Sequence, residues 1–242
     1  MSGHKKYLSV ALLSAVLLPA MASAADAPAT FTPEQEAKIG KIAADYLVAH
    51  PEVLLQASQK LQQIQAEQQA SAATQAVLKN AAVLTQDKNT PTYGPANGKV
   101  TVIEFFDYQC VYCSRLAPVM EQVIKAHPQT RFAFKEWPIF GGRWESSLEA
   151  AKTGLQIYQQ KGADAYLAYH NGIYATGHNE GKLTTADIQQ QAKKAGFDAK
   201  TAADVEPVLT RIHDQAQELG LRGTPGVIVM PTTGATEASI TV

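Results

Sequence analysis

Cysteine is almost absent from this sequence. Two occur in 242 residues, three positions apart, at Cys110 and Cys113. A disulfide-framed fold is thereby excluded, because it needs several bridges spread along the chain. A structural zinc site is disfavoured as well. It wants a second Cys or His pair at matching spacing, whereas His50, His127, His170, His178 and His213 stand singly. The sequence also lacks a strong charge of either sign. With 21 Lys and Arg against 22 Asp and Glu, the net charge is −1. That leaves no electrostatic case for binding nucleic acid or an anionic membrane. Beyond the first 24 residues, no apolar run approaches the ~20 residues that a bilayer span requires.

What is present begins with an export signal. Lys5 and Lys6 form a basic start, residues 7–18 an uncharged and mostly apolar stretch, and Ala22-Ser23-Ala24 a small-residue cleavage site. The apolar stretch is too short for an anchor, so cleavage after Ala24 is expected. Two of the 21 basic residues and no acidic one are lost with it, leaving 19 against 22 and a net charge of −3. The mature chain is expected in the periplasm, an oxidising space in which a disulfide persists.

Residues 25–84 read as a helical oligomerisation segment and linker. Thr32 is placed to N-cap a helix, with Pro33 at its first position and Gln35 completing a capping box. Pro51 ends that helix near His50 and opens a second one. There Leu54, Ala57, Leu61 and Ile64 alternate spacings of three and four among many glutamines, as heptad positions do. So thin an apolar stripe cannot fold alone. It either packs back on its own domain or forms a stalk between copies of the chain, and the stalk is the expected reading. The Ala-rich stretch from Ser71 to Ala82 is expected to continue as an adjustable linker. Turn signals at Asp87–Pro91, Gly94-Pro95 and Asn97-Gly98 mark a domain boundary near residue 85.

From there the pattern is strand (Val100 to Phe106), helix (Cys110 to about His127, with Pro118 inside) and strand (Arg131 to Glu136). Helical segments follow over about 143–219, then a strand (Val227 to Met230) and a partial strand at the end. This is an α/β layout with a helical insertion between its second and third strands.

The chemistry sits where the first strand meets its helix. Cys-x-x-Cys at a helix N-terminus places the first sulfur against unpaired backbone N–H groups and the positive end of the helix dipole. Both favour the thiolate. Cys110 is thus expected to be the exposed nucleophile and Cys113, one turn further in, the resolving thiol. Two adjacent thiolates also suit Cu(I), so a copper role for Cys110 and Cys113 stays open beside the redox one. Glu104 interrupts the apolar strand. On an exposed edge it has no special role; buried, it would titrate high and could move a proton to or from Cys113. Thr224-Pro225, just before a strand, is either a trans proline at a strand start or a cis bond. In the cis form it would turn the Thr224 backbone toward the sulfurs and toward an extended substrate segment.

With these residues in place, the chain resembles the exported thioredoxin-like disulfide oxidoreductases of the DsbA family. The resemblance is carried by Glu104-Phe-Phe-Asp-Tyr-Gln-Cys-Val-Tyr-Cys113, Phe134-Lys-Glu-Trp-Pro-Ile-Phe140 and Arg222-Gly-Thr-Pro225. Residues 31 to about 69 are similar to the N-terminal domain of the suppressor of copper sensitivity protein C (ScsC) subgroup. The resemblance implies a thioredoxin fold with a helical insertion over residues 85–242, preceded by an α-helical oligomerisation segment. It makes Cys110 the nucleophile, Cys113 the resolving thiol, Glu104 the buried acid and Pro225 the cis-proline, with Thr224, Val111 and Tyr112 meeting substrate. Two departures stand out. Val111-Tyr112 lacks the histidine that strongly oxidising members keep between their cysteines, so a less extreme potential is expected. A covering C-terminal helix, usual in such proteins, is not found before Val242.

The expected function is thiol–disulfide exchange on unfolded or misfolded exported proteins, as an isomerase or reductase. No cofactor is expected beyond the redox-active cysteine pair, with Cu(I) as an open possibility. The expected partners are a membrane thiol–disulfide redox protein and further copies of the chain through residues 31–70. The alternatives are a disulfide-introducing oxidase and a Cu(I)-binding copper-tolerance protein.

Overall fold

The computed structural model describes residues 31–242; the export signal read at residues 1–24 lies outside them. Two compact units divide the chain, one ending at Gln59 and the other running from Lys60 to Val242. The first holds helix α1 (Pro33–Ala49) and the opening of α2 (Glu52–Gln86). Thr32 caps α1: its hydroxyl accepts the Gln35 N–H, and the Gln35 side chain accepts the Thr32 N–H in return. None of α1 is buried. Ile39, Ile42 and Tyr46, one turn apart on one helical face, stand about half exposed.

The second unit is built on a four-stranded sheet of order β1-β3-β2-β4. Its strands are β1 (Thr92–Tyr93), β2 (Val100–Phe106), β3 (Arg131–Glu136) and β4 (Gly226–Pro231). β2 and β3 run parallel, in register from Thr101 opposite Arg131 to Phe106 opposite Glu136. β4 is antiparallel to β2, and β1 to β3. A single bridge from Val229 to Thr241 is all that forms of the final partial strand. Helix α3 (Val111–Ala126) follows β2. The insertion between β3 and β4 supplies α4 (Glu145–Lys161), α5 (Ala163–Ala175), α6 (Thr185–Lys194) and α7 (Glu206–Glu218).

Both faces of the sheet are covered, which is why β2 is almost continuously apolar rather than alternating. On one face Phe106, Phe132 and Phe134 pack with Met120 and Ile124 of α3 and with Tyr166, Tyr169 and Ile173 of α5. On the other, Ile103, Phe105, Ala133 and Ile228 pack with Val208, Leu209, Ile212 and Ala216 of α7. Because β2 is paired on both sides, Glu104 is not at an edge; it is 2 % exposed.

Two expectations are corrected here. The stretch 71–82 is not a free linker. It belongs to one 35-residue helix, and Val77 and Leu84 are fully buried in the same cluster as α7. An Ala-rich helix presents its few large side chains at helical spacing, and these two find an apolar partner. Leu84→Ala should accordingly cost about 3 kcal/mol, read as a lower urea midpoint; a surface helix would lose almost nothing. The turn-rich stretch before Val100 also contains β1, whose pairing is supplied by β3 about 40 residues later and has no local signal.

Candidate active site

β2 ends at Phe106, and Asp107, Tyr108 and Gln109 turn the chain into α3. Cys110 sits at the N-cap of α3 in extended conformation, with its N–H donated to the Asp107 carbonyl at 3.0 Å. Both cysteines are free thiols. The expectation that Cys110 is exposed is corrected: with the loop before β4 lying against its sulfur, Cys110 is only 4 % exposed, and Cys113 is fully buried. The Cys113 thiol donates to the Cys110 sulfur, and that hydrogen bond is the main cause of a Cys110 pKa held down to about 5. Burial opposes it, while the Tyr112 and Cys113 amides assist it. Cys113 is driven the other way, far above the usual thiol range, first by burial and then by giving its proton to Cys110. The two sulfurs, three residues apart, are thus separated into a nucleophile and a masked thiol.

The Thr224–Pro225 bond is cis. Cys110 Sγ–H donates to the Thr224 carbonyl at 3.2 Å, so the loop before β4 lies directly beside the nucleophile. Of the residues between the cysteines, Tyr112 is 63 % exposed and Val111 half-buried. The Arg115 guanidinium lies 5.5 Å from the Tyr112 ring centroid. Glu104 shares the face of β2 that carries Phe106, toward α3. Burial pushes its carboxyl up to about 8, and its Oε2 has no hydrogen-bond partner. The buried Tyr174 is electrostatically coupled to both Cys113 and Glu104. The structure therefore brings Cys110, Cys113, Thr224 and Pro225 into one place and sets Glu104 on the strand beneath them.

Three buried polar residues around the site went unnoticed in the sequence. Asp107 accepts hydrogen bonds from the Gln109 N–H (2.8 Å), the Phe140 N–H (2.9 Å) and the Ser147 hydroxyl (2.8 Å). Gln109 donates to Ser146 and accepts from the Gly181 N–H, while its carbonyl accepts the Glu180 N–H. The insertion is thereby fastened to the residue preceding the nucleophile. Glu136 accepts from the Tyr108 and Tyr166 hydroxyls at 3.0 and 2.9 Å. Burial lifts its carboxyl well above the usual range. Asp107 and Gln109 interrupt an apolar run, as Glu104 does, and that interruption was the available signal; Glu136 follows Lys135 and carries none. Among the described residues, no group of three or more His, Cys, Asp or Glu is arranged to hold a metal ion.

The model of the thioredoxin family matches residues 85–236. The chain belongs to the thioredoxin family. Residues 35–68 match the model of the copper resistance protein ScsC N-terminal domain. The crystal structure of BcfH from Salmonella enterica Typhimurium is 40 % identical, with TM-score 0.71, and the match covers 83 % of this chain and 85 % of that one. A periplasmic thioredoxin-like protein from Salmonella enterica serovar Typhimurium is 27 % identical, with TM-score 0.53, over 64 % of this chain and 84 % of that one. The thiol-disulfide exchange protein alpha-DsbA2 from Wolbachia pipientis shares the fold, at 22 % identity and TM-score 0.57, over 68 % and 91 %. A curated relative, the Na(+)/H(+) antiporter NhaA 3 of Salinispora tropica, is 23 % identical over 111 residues. That match takes 43 % of this chain and spans only 15 % of the antiporter's length.

Proposed function

We propose that this chain catalyses thiol–disulfide exchange on exported proteins in the periplasm, as an isomerase or reductase. The supporting observation is the Cys110–Cys113 pair at the N-terminus of α3, with Cys110 against the carbonyl of cis Thr224-Pro225. The Cys110 thiolate attacks a substrate disulfide, forming a Cys110–substrate bond and expelling the other substrate sulfur as a thiolate. In isomerisation, a second substrate thiolate then attacks the substrate sulfur and Cys110 leaves. In reduction, the ionised fraction of Glu104 takes the Cys113 proton as Cys113 attacks the Cys110 sulfur. The substrate leaves as a thiolate, and the Cys110–Cys113 disulfide forms. Thr224 offers its backbone to an extended substrate segment, with Val111 and Tyr112 beside it.

A Cys110 pKa of about 5 falls between the values of about 3.5 and 7 found in a strong oxidant and a reductant of this fold. That intermediate value, together with the absence of a histidine between the cysteines, favours isomerisation over a dedicated oxidase. The exposed apolar residues of α1 and the heptad positions Leu54, Leu61 and Ile64, all 39 % or more exposed, support homo-oligomerisation through residues 31–70. An oligomer would hold several dithiols over one unfolded client. Deleting residues 31–70 should leave reduction of a small disulfide intact. It should slow refolding of a scrambled multi-disulfide substrate by roughly tenfold, through loss of effective concentration. Equal refolding rates with and without the segment would refute the stalk.

The direction of turnover is tested by acid-trapped alkylation of the exported protein in cells. A mostly reduced pair supports the isomerase reading and a membrane reductant. A mostly oxidised pair supports an oxidase coupled to a membrane oxidant. A Cu(I) role is the second reading, favoured by the match to a copper resistance domain. Cys110 and Cys113 would be its ligands, and stoichiometric Cu(I) binding lost in Cys110→Ser, without disulfide turnover, would establish it.

A further inference from the structure

Asp107 touches both halves of the dithiol through its main chain and is anchored through its side chain. Its carbonyl accepts the Cys110 N–H and the Tyr174 hydroxyl at 3.2 Å. Its N–H lies against the Cys113 sulfur. Its carboxylate is 1 % exposed with the rest of the residue and is ringed by three donors from three segments: Gln109, Phe140 after β3, and Ser147 of α4. Two of these are backbone N–H groups, which can only donate. Burial raises the Asp107 carboxyl, and this shell of donors opposes the rise by favouring the ionised form. Once ionised, Asp107 sets a buried negative charge a few residues from the sulfur that must itself become negative. Like charges in a poorly screened site disfavour one another.

We propose that Asp107 is a positioning and tuning residue of this dithiol: its anchored carboxylate holds the turn that presents Cys110 and, by repulsion, tempers the Cys110 thiolate. The reduced protein is consequently less stabilised than the helix N-terminus and the Cys113 hydrogen bond alone would make it, and the pair is a milder oxidant. This inference rests on the thiol–disulfide reading above, but not on the direction of turnover in the cell. The mutual influence is visible from the other side as well: burial is the main cause that raises Asp107, and the Cys110 charge adds to it. Tyr174 and Glu136 are the other titrating groups coupled to Asp107.

The test is Asp107→Asn in the full-length protein, which removes the charge and keeps an acceptor oxygen for Phe140 and Ser147 while its NH2 faces the Gln109 N–H. Two quantities are read. One is the Cys110 pKa, from thiolate ultraviolet absorbance. The other is the equilibrium with glutathione, in which reduced protein and oxidised glutathione give the Cys110–Cys113 disulfide and two glutathione thiols. Two electrons leave the protein, and its two dithiol hydrogens end on glutathione sulfur. The Cys110 pKa should fall by about one unit. The equilibrium constant for forming the protein disulfide should fall about tenfold, or about 30 mV toward a stronger oxidant. Ser147→Ala disturbs the same hydrogen-bond set without removing the charge, and it should leave both readings in place. An unchanged or raised Cys110 pKa in Asp107→Asn overturns the proposal. So does an equal fall in Ser147→Ala, which would make the effect structural.

If Asp107→Asn does not fold, the reciprocal measurement decides. By linkage, Cys110→Ser in the reduced protein should lower the Asp107 pKa, read by carboxyl carbon NMR. An Asp107 titration indifferent to Cys110 refutes the coupling. A failed in-cell redox assignment would leave these equilibria untouched, so the two readings fail separately.

Discussion

Cys113→Ser is expected to lock the protein onto its substrates, whereas Cys110→Ser is expected to abolish reaction with them. The asymmetry follows from burial and hydrogen bonding. Only Cys110 combines a low pKa with a position beside the Thr224 carbonyl. Cys113 is closed off beneath it and keeps its proton. Without the second sulfur, a Cys110–substrate disulfide has no internal route to resolution. Its lifetime should rise more than about a hundredfold, and adducts sensitive to reductant should accumulate on non-reducing gels.

A second comparison separates the two tasks of Cys113. The hydroxyl introduced by Cys113→Ser can still donate to the Cys110 sulfur, so the Cys110 pKa should stay well below the ordinary thiol value. Cys113→Ala removes the donor that is the first cause of the depression, and the pKa should climb back toward the ordinary value of about 8.5. If both variants titrate alike, the Cys113 hydrogen bond is not what activates the nucleophile.

Glu104→Gln should stabilise the protein by about 4 kcal/mol at pH 8 and hardly at all near pH 4. The sign follows from linkage. The Glu104 carboxyl, ordinarily near 4.5, is pushed up to about 8 by burial, so the native state holds a proton that the unfolded chain releases. The stability this gives is fully present below about 4.5 and is lost as the pH rises through about 8. The neutral amide does not titrate, so the gap between wild type and variant in urea unfolding should open across that window. Asp107 titrates in both proteins and cancels in the difference, whereas Glu136, which the Glu104 charge raises, adds to the gap only where Glu104 is ionised. The same substitution should slow resolution by Cys113 about a hundredfold, while the first attack by Cys110 proceeds. A gap that is constant with pH would mean that burial does not raise the Glu104 carboxyl above its unfolded value.

The redox motif was legible because its signal is local. Strand, Cys-x-x-Cys and helix follow one another within about 25 residues, and each has its own periodicity. The helical insertion carries local signals of the same kind: Thr184 caps α6 through a capping box with Asp187, and Gly162 ends α4 at positive φ. Asp107, Gln109 and Glu136 were not legible, since a polar residue inside an apolar run looks the same whether it is satisfied, strained or functional. What distinguishes them is who donates to them. Four of those donors, Phe140, Ser147, Gly181 and Tyr166, lie 30 or more residues away along the chain.

The same division separates what each level decides for the whole protein. Composition and spacing alone determined that thiol chemistry happens at Cys110 and Cys113 or nowhere, that the first of them stands where a strand gives way to a helix, and that a polar helical segment precedes an α/β domain. These depend on residue type and on contacts within a turn or two. Tertiary structure decided the rest. It placed β2 between two strands, so that Glu104 is buried rather than on an edge. It also drew the end of α2 into the core through Val77 and Leu84, and closed a ring of distant donors around Asp107. Those outcomes depend on which surfaces remove one another from water. That is settled by contacts between segments far apart in the chain, which no local pattern records.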